Sequence, residues 1–143
     1  MPTSPLTYKK KSFWIHNAVA EVWLAYFLHE IRSGSNPDWL REMGDEIEPA
    51  LEAGWIEGIV ANVFDTHIKS ENQIEQFVLT MKSVNEKILR QTTISPKVSI
   101  NGCDASSAFL TPEMLMMETL FLRPEEVSEP WKVFTLNKGW RVA

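Results

Sequence analysis

The feature that most constrains this fold is an apolar stretch over residues 13–31, FWIHNAVAEVWLAYFLHEI. Written as a helix, the stretch carries large apolar side chains on nearly every side. A helix that is hydrophobic all round is normally buried among other elements. The stretch therefore predicts a buried central helix over residues 13–32, around which the rest of the chain packs.

Length and composition indicate one mainly α-helical globular domain over residues 1–143. A chain of 143 residues buries a sizeable core without needing cross-links. Hydrophobic residues make up 44% of the chain and charged residues 23%, which is typical of a folded domain. The prediction is a small bundle of about five helices around the central one.

The N-terminal residues 1–12 contain two prolines and the lysine triplet Lys9–Lys11. This composition predicts an exposed tail, with Ser12 as the N-cap of the central helix. Gly34 predicts that the central helix ends there in a left-handed cap.

Asn36-Pro37-Asp38 predicts the start of a second helix, because Asn caps helices, Pro fits the first position and Asp suits the positive end of the dipole. Pro49 predicts a break between Gly44 and Pro49, since proline removes a hydrogen-bond donor. Residues 55–64 fit a helix or a strand. Helical neighbours favour the helix.

Two further helices have clear start signals. Ser70 and Gln73 form a capping box, followed by an amphipathic pattern that reaches Leu89. Thr111-Pro112-Glu113 predicts another helix start, with the helix running to Leu122 and its methionines in the core. Residues 131–142 are compatible with a short C-terminal β-hairpin.

The sequence nominates no catalytic, cofactor-binding or metal-binding residue. The single Cys103 excludes an internal disulfide and is too few for a thiolate zinc site. His16 and His29 lie thirteen positions apart on the predicted helix, about 220° around its axis, so they cannot face one ion. Phosphate-loop and metal-protease motifs are absent. The alternative of a catalytic site whose residues converge from distant segments of the chain stays open.

Negative charge is concentrated in one part of the chain. Residues 38–57 hold seven acids against one base, a net charge of -6, whereas the whole chain has a net charge of -5. Such a run usually forms a solvated helix face. The alternative is a surface that attracts a basic partner, because clustered charge accelerates association and adds specificity. Nucleic acid is disfavoured as a direct partner, since its phosphates would be repelled.

The function that these features favour is a non-catalytic acidic helical module that binds a basic protein. Its most concrete version is a bacterial immunity or antitoxin-type protein that neutralises a basic toxin such as a nuclease. The predicted partner-binding residues are acids of the second helix and two tryptophans: Asp38, Trp39, Glu42, Asp45, Glu46, Glu48, Glu52 and Trp55.

Two other functions stay open. One is an enzyme or small-ligand-binding protein with a pocket between helices, near the polar residues His16, Glu21, His29 and Glu30 of the apolar stretch. The other is a structural subunit of an assembly or a homo-oligomer. The apolar stretch is interrupted by the polar residues His16, Asn17 and Glu21. It is therefore predicted to be neither a signal peptide nor a membrane-spanning segment. The expected location is the cytoplasm, away from membranes.

Overall fold

The computed structural model describes residues 3–90, 99–100, 103–104 and 107–126, and side chains within 3–90 and 112–126. These residues form a mainly α-helical bundle, as predicted, together with a small N-terminal antiparallel sheet. The elements in chain order are β1 (Thr3–Tyr8), β2 (Lys11–His16), α1 (Asn17–Arg32), α2 (Asp38–Glu52), α3 (Ile56–His67), α4 (Glu71–Leu89), β3 (Ser99–Ile100), β4 (Cys103–Asp104), α5 (Ser107–Leu122) and a 3₁₀ turn (Pro124–Glu126).

The N-terminal region corrects two predictions. Residues 3–8 are not an exposed tail, because they form β1 and pair antiparallel with β2. Residues 13–16 belong to β2 rather than to the central helix, so the cap of α1 is His16 and not Ser12. The physical reason is that buried side chains alternate along both segments with a period of two, the period of a β-strand. Pairing the two strands therefore buries one face of a hairpin. The buried side chains on that face are Ser4, Leu6, Tyr8, Phe13 and Ile15.

The central helix itself is confirmed as α1. Trp23 and Phe27 are at most 1% exposed, and the rest of its apolar surface packs in the same core. The helix ends at Arg32, where a break was expected. However, Ser33 caps it in a right-handed conformation, and Gly34 does not have a positive φ.

An aromatic cluster centred on Phe77 joins three of the helices that surround α1. The Phe77 ring lies 5.6 Å from Phe64 and 4.7 Å from Phe121, measured between ring centroids. It also contacts Trp23 and Phe27 of the central helix. Aromatic pairs at these separations add to the burial of apolar area, so this cluster holds α3, α4 and α5 to α1.

Helix α2 is continuous from Asp38 to Glu52, which corrects the predicted break before Pro49. Leu40, Met43 and Ile47 lie on one buried face, and the partly buried Ala50 extends that face beyond the proline. Burial on both sides of Pro49 offsets the hydrogen bond that the proline removes. The capping residue is Pro37, one position later than predicted.

The remaining helices agree with the sequence in part. Residues 56–67 are helical, and the Ser70–Gln73 capping box is present with both of its hydrogen bonds. Helix α5 begins at Ser107, so Pro112 lies inside it rather than at its first turn. Met114 and Met117 are buried, as predicted. The predicted hairpin at 131–142 lies outside the described residues.

Candidate protein-binding surface on α2 and α3

The solvent side of α2 carries a row of carboxylates. Leu40, Met43 and Ile47 point into the core, so the opposite side of the helix faces solvent. At 100° per residue, four exposed acids fall within about 80° of arc on that side. We call these four residues the carboxylate row: Asp38, Glu42, Asp45 and Glu52.

The two acids that flank this row are bound to neighbouring helices. Glu46 lies 2.5 Å from Nε2 of His67 on α3, and Glu48 pairs with Arg32 on α1. Glu48 accepts a hydrogen bond from the Arg32 guanidinium, which raises the pKa of Arg32. These contacts link α2 to α1 and to α3, and they occupy two of the predicted partner-binding carboxylates.

Within the row, three carboxylates have no ion pair in the described part of the chain: Asp38, Glu42 and Glu52. Asp45 lies 3.6 Å from Arg32, a loose contact between exposed groups that contributes little to stability. A hollow of about 230 Å³ lies beside the row, lined by Ile31, Arg32, Arg41 and Asp45. Most of the negative charge on this side of α2 is therefore available to a partner.

The two predicted tryptophans differ in their accessibility. Trp39 is partly buried, and its Nε1–H donates a hydrogen bond to Oε1 of Gln76 on α4 at 2.9 Å. Trp55 is 63% exposed. An exposed tryptophan is the kind of side chain that dominates protein interfaces, so Trp55 is the stronger candidate.

The turn between α2 and α3 fixes the backbone of Trp55. Gly54 has a φ of +77°, which glycine adopts without a steric penalty. Its N–H donates to the carbonyl of Leu51 at 3.0 Å, and the N–H of Trp55 donates to the carbonyl of Ala50 at 2.9 Å. These two bonds make a Schellman motif, which ends α2 and sets the direction of the chain that follows.

The indole ring of Trp55 lies face down on Gly58 of α3. A Cβ added at Gly58 would stand 2.1 Å from Cε2 of the indole, 2.4 Å from Cζ2 and 2.5 Å from Cδ2. Cε2 is bonded to both Cζ2 and Cδ2, and a point at similar distances from all three atoms lies above the plane of the ring, so the glycine lies under its face. The Trp55 side chain is 63% exposed, so much of the ring remains open to solvent.

The residues of the alternative pocket do not come together. Glu21 and His29 are exposed on α1. Glu30 accepts hydrogen bonds from Ser83 and Lys87 of α4, and the bond from Lys87 lowers its pKa. His16 contacts α5 instead. In the described residues, these four side chains therefore do not converge on one cavity.

The contact between His16 and Glu113 was not predicted. Oε1 of Glu113 lies 2.7 Å from Nδ1 of His16 and accepts the backbone N–H of the same residue at 3.0 Å. Glu113 is 2% exposed, its Oε2 has no hydrogen-bond partner among the described residues, and burial raises its pKa. The two residues are 97 positions apart in the sequence, so no local signal indicated that they would meet.

Among the described residues, no group of three or more His, Cys, Asp or Glu side chains could hold a metal ion. No helix in that part of the chain is both long and apolar enough to cross a membrane.

No protein-family model matches the chain, and the searches of curated proteins and of solved structures found no significant match either.

Proposed function

We propose that this protein is a non-catalytic module that binds a basic protein through the outer side of α2 and the start of α3. The observation that carries the proposal is Trp55, an exposed aromatic side chain that rests on Gly58 at the turn that follows the carboxylate row. An aromatic side chain provides a large contact area at a low cost in conformational entropy. We call Trp55, Glu57 and the carboxylate row together the acidic face.

The two parts of the acidic face have different roles. Exposed ion pairs contribute only about 0–1 kcal/mol each, so carboxylates alone would not hold a partner tightly. They accelerate encounter and select for positive charge. Trp55 supplies the apolar contact area, since tryptophan is enriched among the few residues that carry most of the binding energy.

A more specific form of the proposal is an immunity or antitoxin-type protein of bacterial origin that neutralises a basic toxin such as a nuclease. Support for this form is the same pairing of carboxylates with an aromatic anchor, because carboxylates imitate the phosphates that a nuclease binds. This form predicts a partner that is toxic when expressed alone and harmless when expressed together with this chain.

The test is affinity capture from the native host at low salt, with the full chain as bait. The test variant is Glu42→Lys/Glu52→Lys, which reverses two unpaired carboxylates of the row. The matched control is Glu21→Lys/Glu125→Lys, which changes the net charge equally at exposed sites outside α2 and α3. Circular dichroism of the three proteins checks that each is folded.

The proposal predicts one stoichiometric basic partner that is captured by the wild type and by the control, and that is released as salt rises. The test variant should lose this partner. Equal capture by the test variant and the control would contradict the proposal, because net charge rather than this surface would then govern binding.

A further inference from the structure

The Trp55 site is suited to one kind of side chain on a partner. That inference rests on the proposed function. The free face of an indole attracts cations through the negative charge of its π system. The neighbouring residues in sequence, Glu52 at the end of α2 and Glu57 in the first turn of α3, are both exposed acids. In the described part of the chain, neither forms an ion pair.

We infer that Trp55, lying on Gly58 and with acids three positions before it (Glu52) and two positions after it (Glu57) in the sequence, is a receptor site for an arginine side chain of the partner. A guanidinium group is planar, so it stacks on an indole face, and it is more weakly hydrated than an ammonium group. Its N–H groups bind carboxylates in a bidentate geometry that lysine cannot match. An aliphatic side chain would cover Trp55 but leave both carboxylates unpaired.

The glycine makes the site testable without removing any of its functional groups. Ala at position 58 would place a methyl group 2.1 Å from the indole, so the ring must move from its position. Helix α3 should persist, because alanine is a better helix former than glycine. Gly34→Ala is the matched control, since among the described residues the nearest atom that a Cβ there would meet is Nδ2 of Asn36, at 4.0 Å.

The experiment compares a nine-residue oligoarginine with a nine-residue oligolysine, titrated into the full chain at low salt by calorimetry. The proteins are the wild type, Gly34→Ala, Gly58→Ala and Trp55→Leu. We expect the wild type and Gly34→Ala to bind oligoarginine about fivefold more tightly than oligolysine. In Gly58→Ala and Trp55→Leu, the preference should vanish while salt-dependent binding of both peptides persists.

Three results would overturn the inference, and they are distinguishable. If the wild type binds both peptides equally and Trp55→Leu changes nothing, the arginine site is wrong although the acidic face still binds basic chains. If neither peptide binds the wild type, the proposed function fails as well. A preference for arginine that survives in Trp55→Leu would also contradict the inference, because the selectivity would then come from another site.

Discussion

At the scale of single residues, the turn between β1 and β2 carries conformational strain. Lys9 and Lys10 have φ values of 49° and 67°, in the left-handed region that favours glycine and asparagine. Tyr8 and Lys11 pair on either side of them, and the N–H of Lys9 donates to Asp65 at 2.8 Å. The pairing of the strands and this contact hold the two lysines in an unfavourable conformation.

Replacing both lysines by the preferred turn residues should therefore stabilise the protein. We expect Lys9→Asn/Lys10→Gly to raise the free energy of unfolding by about 1–2 kcal/mol, measured by urea denaturation. Lys9→Ala/Lys10→Ala removes the same two charges but keeps the strained backbone, so it should give no such gain. If the alanine variant gained as much, charge repulsion between the lysines and not strain would be the cause.

Glu113 gives a prediction about pH. Its pKa is raised by burial, against the opposing effect of the hydrogen bond from His16. A raised pKa in the folded state means that this carboxyl contributes stability below its unfolded pKa, about 4.3. That contribution is lost as the pH rises through the folded pKa.

Glu113→Gln stays neutral at every pH and keeps an oxygen that can accept the His16 N–H. The stability of the wild type relative to this variant should therefore fall as the pH is raised above about 4.3, in urea denaturation at a series of pH values. A difference that is constant with pH, or that grows in favour of the wild type, would show that the contact with His16 outweighs burial of the charge.

At the scale of elements, caps and periodicity predicted the helices better than the hairpin. Ser70 and Gln73 mark the start of α4 through bonds between neighbours in sequence, so the signal is local. The hairpin lacks the Asn-Gly turn that would have revealed it. Its second strand also runs directly into α1. Because the apolar stretch is continuous, the sequence did not show that the strand period changes to a helix period at His16.

Pro49 shows how tertiary packing overrides a local rule. The proline lies inside α2, where it cannot donate to the carbonyl four residues earlier. Pro49→Ala should restore this donor and raise the free energy of unfolding by about 1–3 kcal/mol. The control Pro37→Ala lies at the cap, where no intrahelical bond is missing, and should change stability by only about 0.5 kcal/mol. An equal effect of the two would contradict this account of α2.

The candidate site was predicted only in part, for physical reasons. The eight partner-binding residues predicted from the sequence lie on α2 or shortly after it. The sequence did not reveal that Glu46 and Glu48 are bound to other helices, because those pairs depend on how the helices pack. The position of Trp55 likewise depends on the folded chain, because Gly54 forms the turn before it and Gly58 lies under its ring.

At the scale of the whole molecule, charge is unevenly placed. Residues 38–57 have a net charge of -6 and the whole chain -5, so the remaining residues sum to +1. Trp55 caps the start of α3. The strained lysine turn contacts Asp65, which lies near the end of the same helix. A helix of 12 residues spans about 18 Å, which separates the acidic face from the lysines.

The central claim is that the acidic face is where the partner binds. The most direct test is chemical-shift mapping of the ¹⁵N-labelled full chain, titrated with the basic protein that affinity capture identifies. We predict that the shifts concentrate at the carboxylate row and at the indole N–H of Trp55, and that they disappear at high salt. Shifts that leave residues 38–58 unchanged and cluster elsewhere would contradict the account.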